Sequence, residues 1–295
     1  MTGIEGEPVP PSFWRAVRVT FDGVIRHWRT CLALVSVYAI LNGVSNAIGR
    51  ADPLDFDPSA ASPSELVVIS AAALAGIGTL ALIWIFVHPP TLGALSLVGS
   101  AVVAGDELET HGIVRRVLDR ALEVIGAFVL TLLILLVAPI AIGLFGLVAN
   151  LVTNAETTIA AMFALAFVLA VPVVYMFVRL SLAIPVVLRE GLGPVAALRR
   201  SWDLVGGVWW WVFGVFVVVG IAGGIGGGIL AAILSLGNAG ISGSGDSNFV
   251  LAALGSAVSS AVSGSLLGVV TGVVYEARAE VLSPSELPLP DVPGE

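Results

Sequence analysis

The residues of this 295-residue chain that come nearest to a hydrolytic pattern are Ser242 in GISG (240–243) and Asp246 in GSGD (243–246). A serine nucleophile needs a histidine base within reach, and His27, His88 and His111 all lie far upstream, beside arginine-bearing segments. Hydrolysis by aspartate needs two carboxylates sharing a proton, and the long apolar runs hold no aspartate at all. Asp52, Asp55 and Asp57 could touch a cation, but the glycine and glutamate of a calcium loop are missing. Cys31 is the single cysteine, and HExxH, phosphate-loop and CxxC patterns are absent, so no metal or cofactor is expected. Two basic residues remain, each closing a long uncharged run: His88, ahead of Pro89-Pro90, and Arg179, in MFVRLSLAIPVVLREG (176–191). Inside a membrane such groups mark binding sites, pores or proton relays. At a bilayer edge they only mark where a span stops.

Which reading holds depends on the elements that carry them. The chain is 57% hydrophobic and 12% charged, with mean hydropathy +1.02, whereas soluble domains carry about 25% charged residues. Lipid must therefore solvate much of it. Runs of membrane-spanning length cover 31–49, 66–88, 124–151, 157–180, 208–236 and 249–275. The segments between them alternate in charge. Arg15, Arg18, Arg26 and Arg29 precede the first run, Arg115, Arg116 and Arg120 follow the second, Arg189, Arg199 and Arg200 follow the fourth, and Arg278 follows the last. The other connections are acidic or nearly uncharged. Basic loops lie on the cytoplasmic side, so six spans with both termini inside are expected, in one domain over 1–281 with a disordered Pro-rich tail at 282–295. Trp14, Trp28, Trp84, Trp202 and Trp209 to Trp211 then fall near the inner surface, where indoles prefer to sit. The N-terminus carries two acids and no base before Trp14, unlike a secretory signal. A net charge of −8 without a basic cluster outside the membrane flanks argues against nucleic acid as a partner.

From Thr157 to Arg179 an untilted helix rises about 33 Å, against a hydrocarbon core of about 30 Å. Arg179 thus reads as a boundary residue whose guanidinium reaches the inner headgroups, with a Pro185-bent segment after it. His88 reads likewise: Pro89-Pro90 break or bend the helix, and 91–104 continues as a bent or interfacial piece. A pore or relay through His88 and Arg179 is the competing reading, with Glu123 and Glu276 the acids placed to serve it.

Three stretches share a mark: AVRVTFDGVIRHW (16–28), IVRRVLDRALEVI (113–125) and ALRRSWDLVGGVW (197–209). Each sets arginine four residues before aspartate, Arg18/Asp22, Arg115/Asp119 and Arg199/Asp203, on one helical face where the two can pair. These read as amphipathic helices on the inner surface, each followed by two spans. The architecture expected is therefore an all-α, polytopic membrane protein built as three units of surface helix plus transmembrane hairpin, whether by true repetition or by convergence.

Lipid supplies no hydrophobic drive for helix association, so small residues that let backbones approach matter. Gly220, Gly224 and Gly228 line one face of the fifth run, and Ser256, Ser260, Gly264, Gly268 and Gly272 line one of the sixth. Antiparallel register predicts a tight pair with Gly220 on Gly264, Gly224 on Ser260 and Gly228 on Ser256. A hinge, or a groove for a lipid chain, is the other use of such a face.

The segment 178–216 carries Arg179-x-Ser181, Pro185, Glu190-Gly191 and Ala197-x-Arg199-Arg200-Ser201-Trp202, and YEARAE (275–280) closes the last run. Here the chain resembles the membrane domain fused to some glycerophosphodiester phosphodiesterases and the related YciC-like integral membrane proteins of bacteria and archaea. The likeness implies six helices with a surface segment. It imports no phosphodiesterase activity, which belongs to a separate barrel domain, and no catalytic residue. A non-enzymatic component of the cytoplasmic membrane is expected, acting on membrane lipids, on a second copy of itself or on a membrane partner protein. The alternative is a small transporter or channel with a polar site at the cytosolic exits of the second and fourth spans. His88, Arg179, Glu190, Arg199, Arg200 and Asp203 are the candidate functional or interface residues.

Overall fold

In the computed structural model, which describes residues 12–50, 63–106, 109–151, 155–239 and 245–282, every regular element is helical. The short α1 (Phe13–Arg26) stops at His27 and is followed at once by α2 (Trp28–Arg50) and then α3 (Pro63–Ala104). After these come α4 (Thr110–Asp119), α5 (Ala121–Asn150), α6 (Ala155–Leu180), α7 (Ala183–Glu190), α8 (Pro194–Val205), α9 (Trp209–Ala239) and α10 (Gly245–Leu282). Six of the described helices are long and apolar enough to cross a membrane, so the chain is an all-α polytopic membrane protein. The Pro-rich tail from 283 and Ser242 lie outside the described residues.

The three marked stretches are helices of their own, α1, α4 and α8, and each ends just before a long helix begins. The breaks fall at His27, at Arg120 and at Gly206 to Val208. In α1, Ala16, Val17, Thr20 and Gly23 face inward, while Ile25 and Trp14 are exposed. The expected arginine–aspartate pairing is formed only once among the described residues. Arg115 Nε lies 4.0 Å from Asp119, both well exposed. A pair of that kind adds little stability.

α10 is the post around which the others stand. It packs most extensively on α9, α2 and α3, and also touches α1. Its small-residue stripe does not face α9, contrary to the expected register, but serves α2 and α3. Asn42 of α2 donates to Ser260, Gly264 abuts Val35 and Tyr38, Gly268 receives Leu95, and Gly272 lies against the Ser96–Ser100 backbone. The tight α9–α10 pair does exist, on neighbouring positions. A Cβ on Gly223 would come 3.3 Å from Ser263 Cα, one on Gly227 would come 2.9 Å from Ser259 O, and Gly255 sits on Ala231. Among the described residues Gly224 and Gly228 have nothing within 4 Å, and they point outward with Ile221, Ile225 and Ile229. α10's serines donate to their own helix, Ser260 to Ser256 O and Ser263 to Ser259 O, both at 2.8 Å. Their hydroxyls are thereby satisfied without holding the helices apart.

Pro89 and Pro90 do not end α3, which is helical over 42 residues. Locally two donors are lost, but the following stretch is held from several sides. Thr91 through Ser100 is nearly all buried. Gly99 lies against Val269 and Val273 of α10, and Gly93 against Ile184 and Leu188 of α7. Residues 91–100 are thus a buried segment of the helix bundle, and the helix runs on through Ala104.

Candidate functional site

α6 ends where Ser181 and Leu182 turn the chain into α7, whose Ala183, Pro185, Val186, Val187 and Leu188 are all buried. Pro185 stands in the first turn of α7, where a missing N–H costs nothing. The bend therefore precedes the proline instead of falling at it. Ser201 of α8 fastens this turn from both sides: its hydroxyl donates to Arg179 O at 2.8 Å and accepts from the Leu182 amide at 3.1 Å.

Arg179 is enclosed by aromatic rings. Its Nε and Nη2 donate to Tyr175 Oη at 3.0 and 2.8 Å, and its Nη1 donates to Trp202 O at 2.8 Å. The guanidinium carbon lies 4.8 Å from the Trp202 ring centre and 5.2 Å from that of Tyr175. Such cation–π contacts hold a guanidinium in place. Trp209 stacks on Tyr175 and donates its indole N–H to Tyr175 O at 3.2 Å.

A helix leaves its last four carbonyls without partners, and in α8 each finds one. Trp202 O accepts from Arg179, and Leu204 O accepts from Arg278 Nε at 2.9 Å. Asp203 O and Val205 O take the amides of Gly206 and Val208. Two guanidiniums from different helices, α6 and α10, thus close the negative end of α8, where cations are favoured.

On the other side of α8, Arg200 Nε donates to both Glu190 oxygens at 3.2 Å, and Tyr275 Oη donates to Glu190 Oε1 at 3.1 Å. Arg189 meets Glu276 with Nε 2.7 Å and Nη2 2.5 Å from Oε1. Gly191, at φ 71°, ends α7 in the left-handed region, and the Arg120 guanidinium passes where its Cβ would be. Glu190, Arg200 and Arg179 therefore belong to one node that ties α6, α7, α8 and α10. Arg199 and Asp203 do not join it. Both are exposed on α8, and neither forms an ion pair among the described residues.

His88 is elsewhere. It stacks on Trp84 at 4.3 Å and meets Tyr38 and Phe128 at 4.8 and 5.6 Å between ring centres. Its Nδ1 is buried and has no hydrogen-bond partner among the described residues. Tyr38 abuts Gly264, and Glu276 follows twelve residues later on the same helix, about 18 Å along its axis. His88 and Trp84 therefore lie among the rings of Tyr38 and Phe128, away from the charged node. The two exits read as equivalent, IFVHPP and MFVRLSLAIP, are built differently: one helix runs on and the other breaks.

Tyr275, Arg278 and Arg189 are not among the candidate site residues, and Glu276 enters only as an acid for the competing relay. Their only signal in the sequence was YEARAE, whose polar residues recur near helical spacing at the end of an apolar run. Among the described residues no cluster of three or more His, Cys, Asp or Glu is arranged to hold a metal ion. Comparison with family models, with curated proteins and with solved structures finds nothing that matches this chain.

Proposed function

We propose that the protein is a non-enzymatic component of the cytoplasmic membrane that organises lipids or assembles with a second copy or a membrane partner through its arginine-rich end, with both termini in the cytosol. The node of Arg179, Glu190, Arg200, Tyr275 and Arg278 carries this reading. These polar groups bond to one another and to the end of α8, and so act as fasteners that present α8 as a rigid face. The exposed Arg199 and Asp203 stand on that face, free to meet a partner or headgroups. Several residues of the YciC-like resemblance, Arg179, Glu190, Arg200 and Trp202 among them, fall in or beside the same node, which supports membership of that group. The succession of α1, α4 and α8, each before a hairpin, supports a threefold repeat.

The test is the protein's state in its own membrane. Arg199→Cys, in a Cys31→Ala background, is cross-linked in native vesicles and the products are sized. A discrete dimer or a defined heteromeric product agrees with assembly at this face. Its absence, together with unchanged lipid content around the protein, contradicts the reading.

One observation favours transport as the second reading: the unpartnered Nδ1 of His88 among Trp84, Tyr38 and Phe128. Proteoliposome flux of small ions and protons that falls with His88→Ala and Arg179→Ala would install it over the first.

A further inference from the structure

A cavity of about 540 Å³ opens at the junction of α4 and α5, lined by Gly112, Arg115, Arg116, Asp119, Arg120 and Glu123. We infer that this pocket binds the phosphate of an anionic lipid headgroup, an inference that rests on the membrane placement and lipid role proposed above.

Three guanidiniums line the opening, against the two carboxylates of Asp119 and Glu123. Arg120 is the break between the two helices, and its side chain runs back over Gly191 of α7. A Cβ there would sit 2.9 Å from Arg120 Nη2, so the glycine leaves the room that lets the guanidinium lie there. The guanidiniums of Arg116 and Arg120 make no hydrogen bond or ion pair among the described residues, unlike those of Arg179, Arg189 and Arg200 at the neighbouring node. Of the two acids in the lining, Asp119 is met among the described residues only by Arg115 at 4.0 Å, a loose contact that a phosphate can displace. Planar guanidiniums bind phosphate oxygens in pairs. The pocket also opens at the N-terminus of α5, a helix of 30 residues whose first amides and dipole favour negative charge.

The surroundings choose a lipid over a free ion. Leu118 and Leu122, 64% and 81% exposed, stand beside the arginines, with Val114 also exposed. Such side chains are at home against acyl chains, and headgroup phosphates lie at that depth. The combination of basic pocket and apolar shoulder matches a phosphate that arrives attached to a chain.

The full-length protein, stripped of lipid in detergent, is titrated with phosphatidylglycerol or phosphatidylcholine and read by native mass spectrometry. The expected result is selective retention of phosphatidylglycerol. Arg115→Gln/Arg116→Gln should weaken it about thirtyfold, Arg115→Lys/Arg116→Lys should keep most of it, and Arg18→Gln/Arg26→Gln on α1, with the same loss of charge, should leave it unchanged. Arg115 and Arg116 are exposed, and an unshifted melting temperature verifies folding. Equal retention of the two lipids, equal loss in both glutamine pairs, or displacement of lipid by millimolar inorganic phosphate overturns the proposal. Alkaline extraction of the same membranes separates the failures. Release of the protein overturns the membrane placement itself, whereas resistance to extraction without lipid selectivity overturns the pocket alone.

Discussion

Replacing Gly227 with alanine should loosen the α9–α10 pair, and the same change at Gly228 should not. The new methyl at 227 would lie 2.9 Å from Ser259 O and 3.1 Å from Ser259 Cα, about half an ångström inside ordinary contact. Its neighbour is backbone, which cannot rotate away, so the helices must separate. Overpacking of this kind costs about 1–3 kcal/mol, partly offset by alanine's helix preference of up to about 1 kcal/mol. At Gly228 no atom lies within 4 Å, so only the favourable part applies. The preference cancels between the two variants, which should therefore differ by about 1–3 kcal/mol, or about 2 kcal/mol and thirtyfold in the ratio of folded to unfolded protein at mid-range. Steric trapping in bicelles reads that ratio without leaving the bilayer. Gly224→Ala should follow Gly228→Ala, and Gly223→Ala should follow Gly227→Ala more weakly, since its contacts are 3.3 Å. If Gly228→Ala destabilises as much as Gly227→Ala, the register argued here is wrong, and the face running through 220, 224 and 228 is the true seam.

Three further outcomes follow from the charged node and the chain's orientation. A double-mutant cycle of Glu190→Gln with Arg200→Gln should give a coupling of about 1 kcal/mol, since both side chains keep some solvent exposure, and zero coupling removes the pair from the node. Gly191→Ala should lower stability by at least about 1 kcal/mol through its left-handed φ of 71° and its approach to Arg120, and a neutral result contradicts that geometry. In a Cys31→Ala background, Arg199→Cys should react with an impermeant maleimide only after right-side-out vesicles are opened, and labelling of intact vesicles would reverse the assigned orientation.

The spans and the three short helices were legible because each rests on a local signal: about twenty apolar residues, or arginine and aspartate four apart on a helical face. What failed depended on partners distant in sequence. GGIGGG offers α9 two glycine faces, 220/224/228 and 223/227, and periodicity cannot say which one meets α10. The stripe on α10 was read correctly as a packing face, but α2 and α3 occupy it. At Pro89-Pro90 the local rule predicts a break, yet the packing of Gly93 on α7 and Gly99 on α10 keeps α3 continuous. Arg179 could be placed at a boundary by counting residues, but its hold on Trp202 O required knowing that α8 folds back beside α6. Arg199 and Arg200 are adjacent and look alike in sequence. Only the position of Glu190 separates a fastened residue from an exposed one.

The central place of α10 has a consequence for how the protein is made. Every helix it packs against precedes it in the chain, so each enters the bilayer before its chief partner has been synthesised. Gly43, Gly99, Gly223 and Gly227, which end up against α10, must wait uncovered in the lipid or lean on whatever lies near. During that interval a helix of another unfinished chain, or a membrane chaperone, can occupy the vacant position. Once α10 is in place it covers those faces, and Arg278 bonds the end of α8. A nascent chain halted before α10 is thus a sticky, half-built barrelful of glycine faces, and quality control at the membrane has a clear thing to recognise.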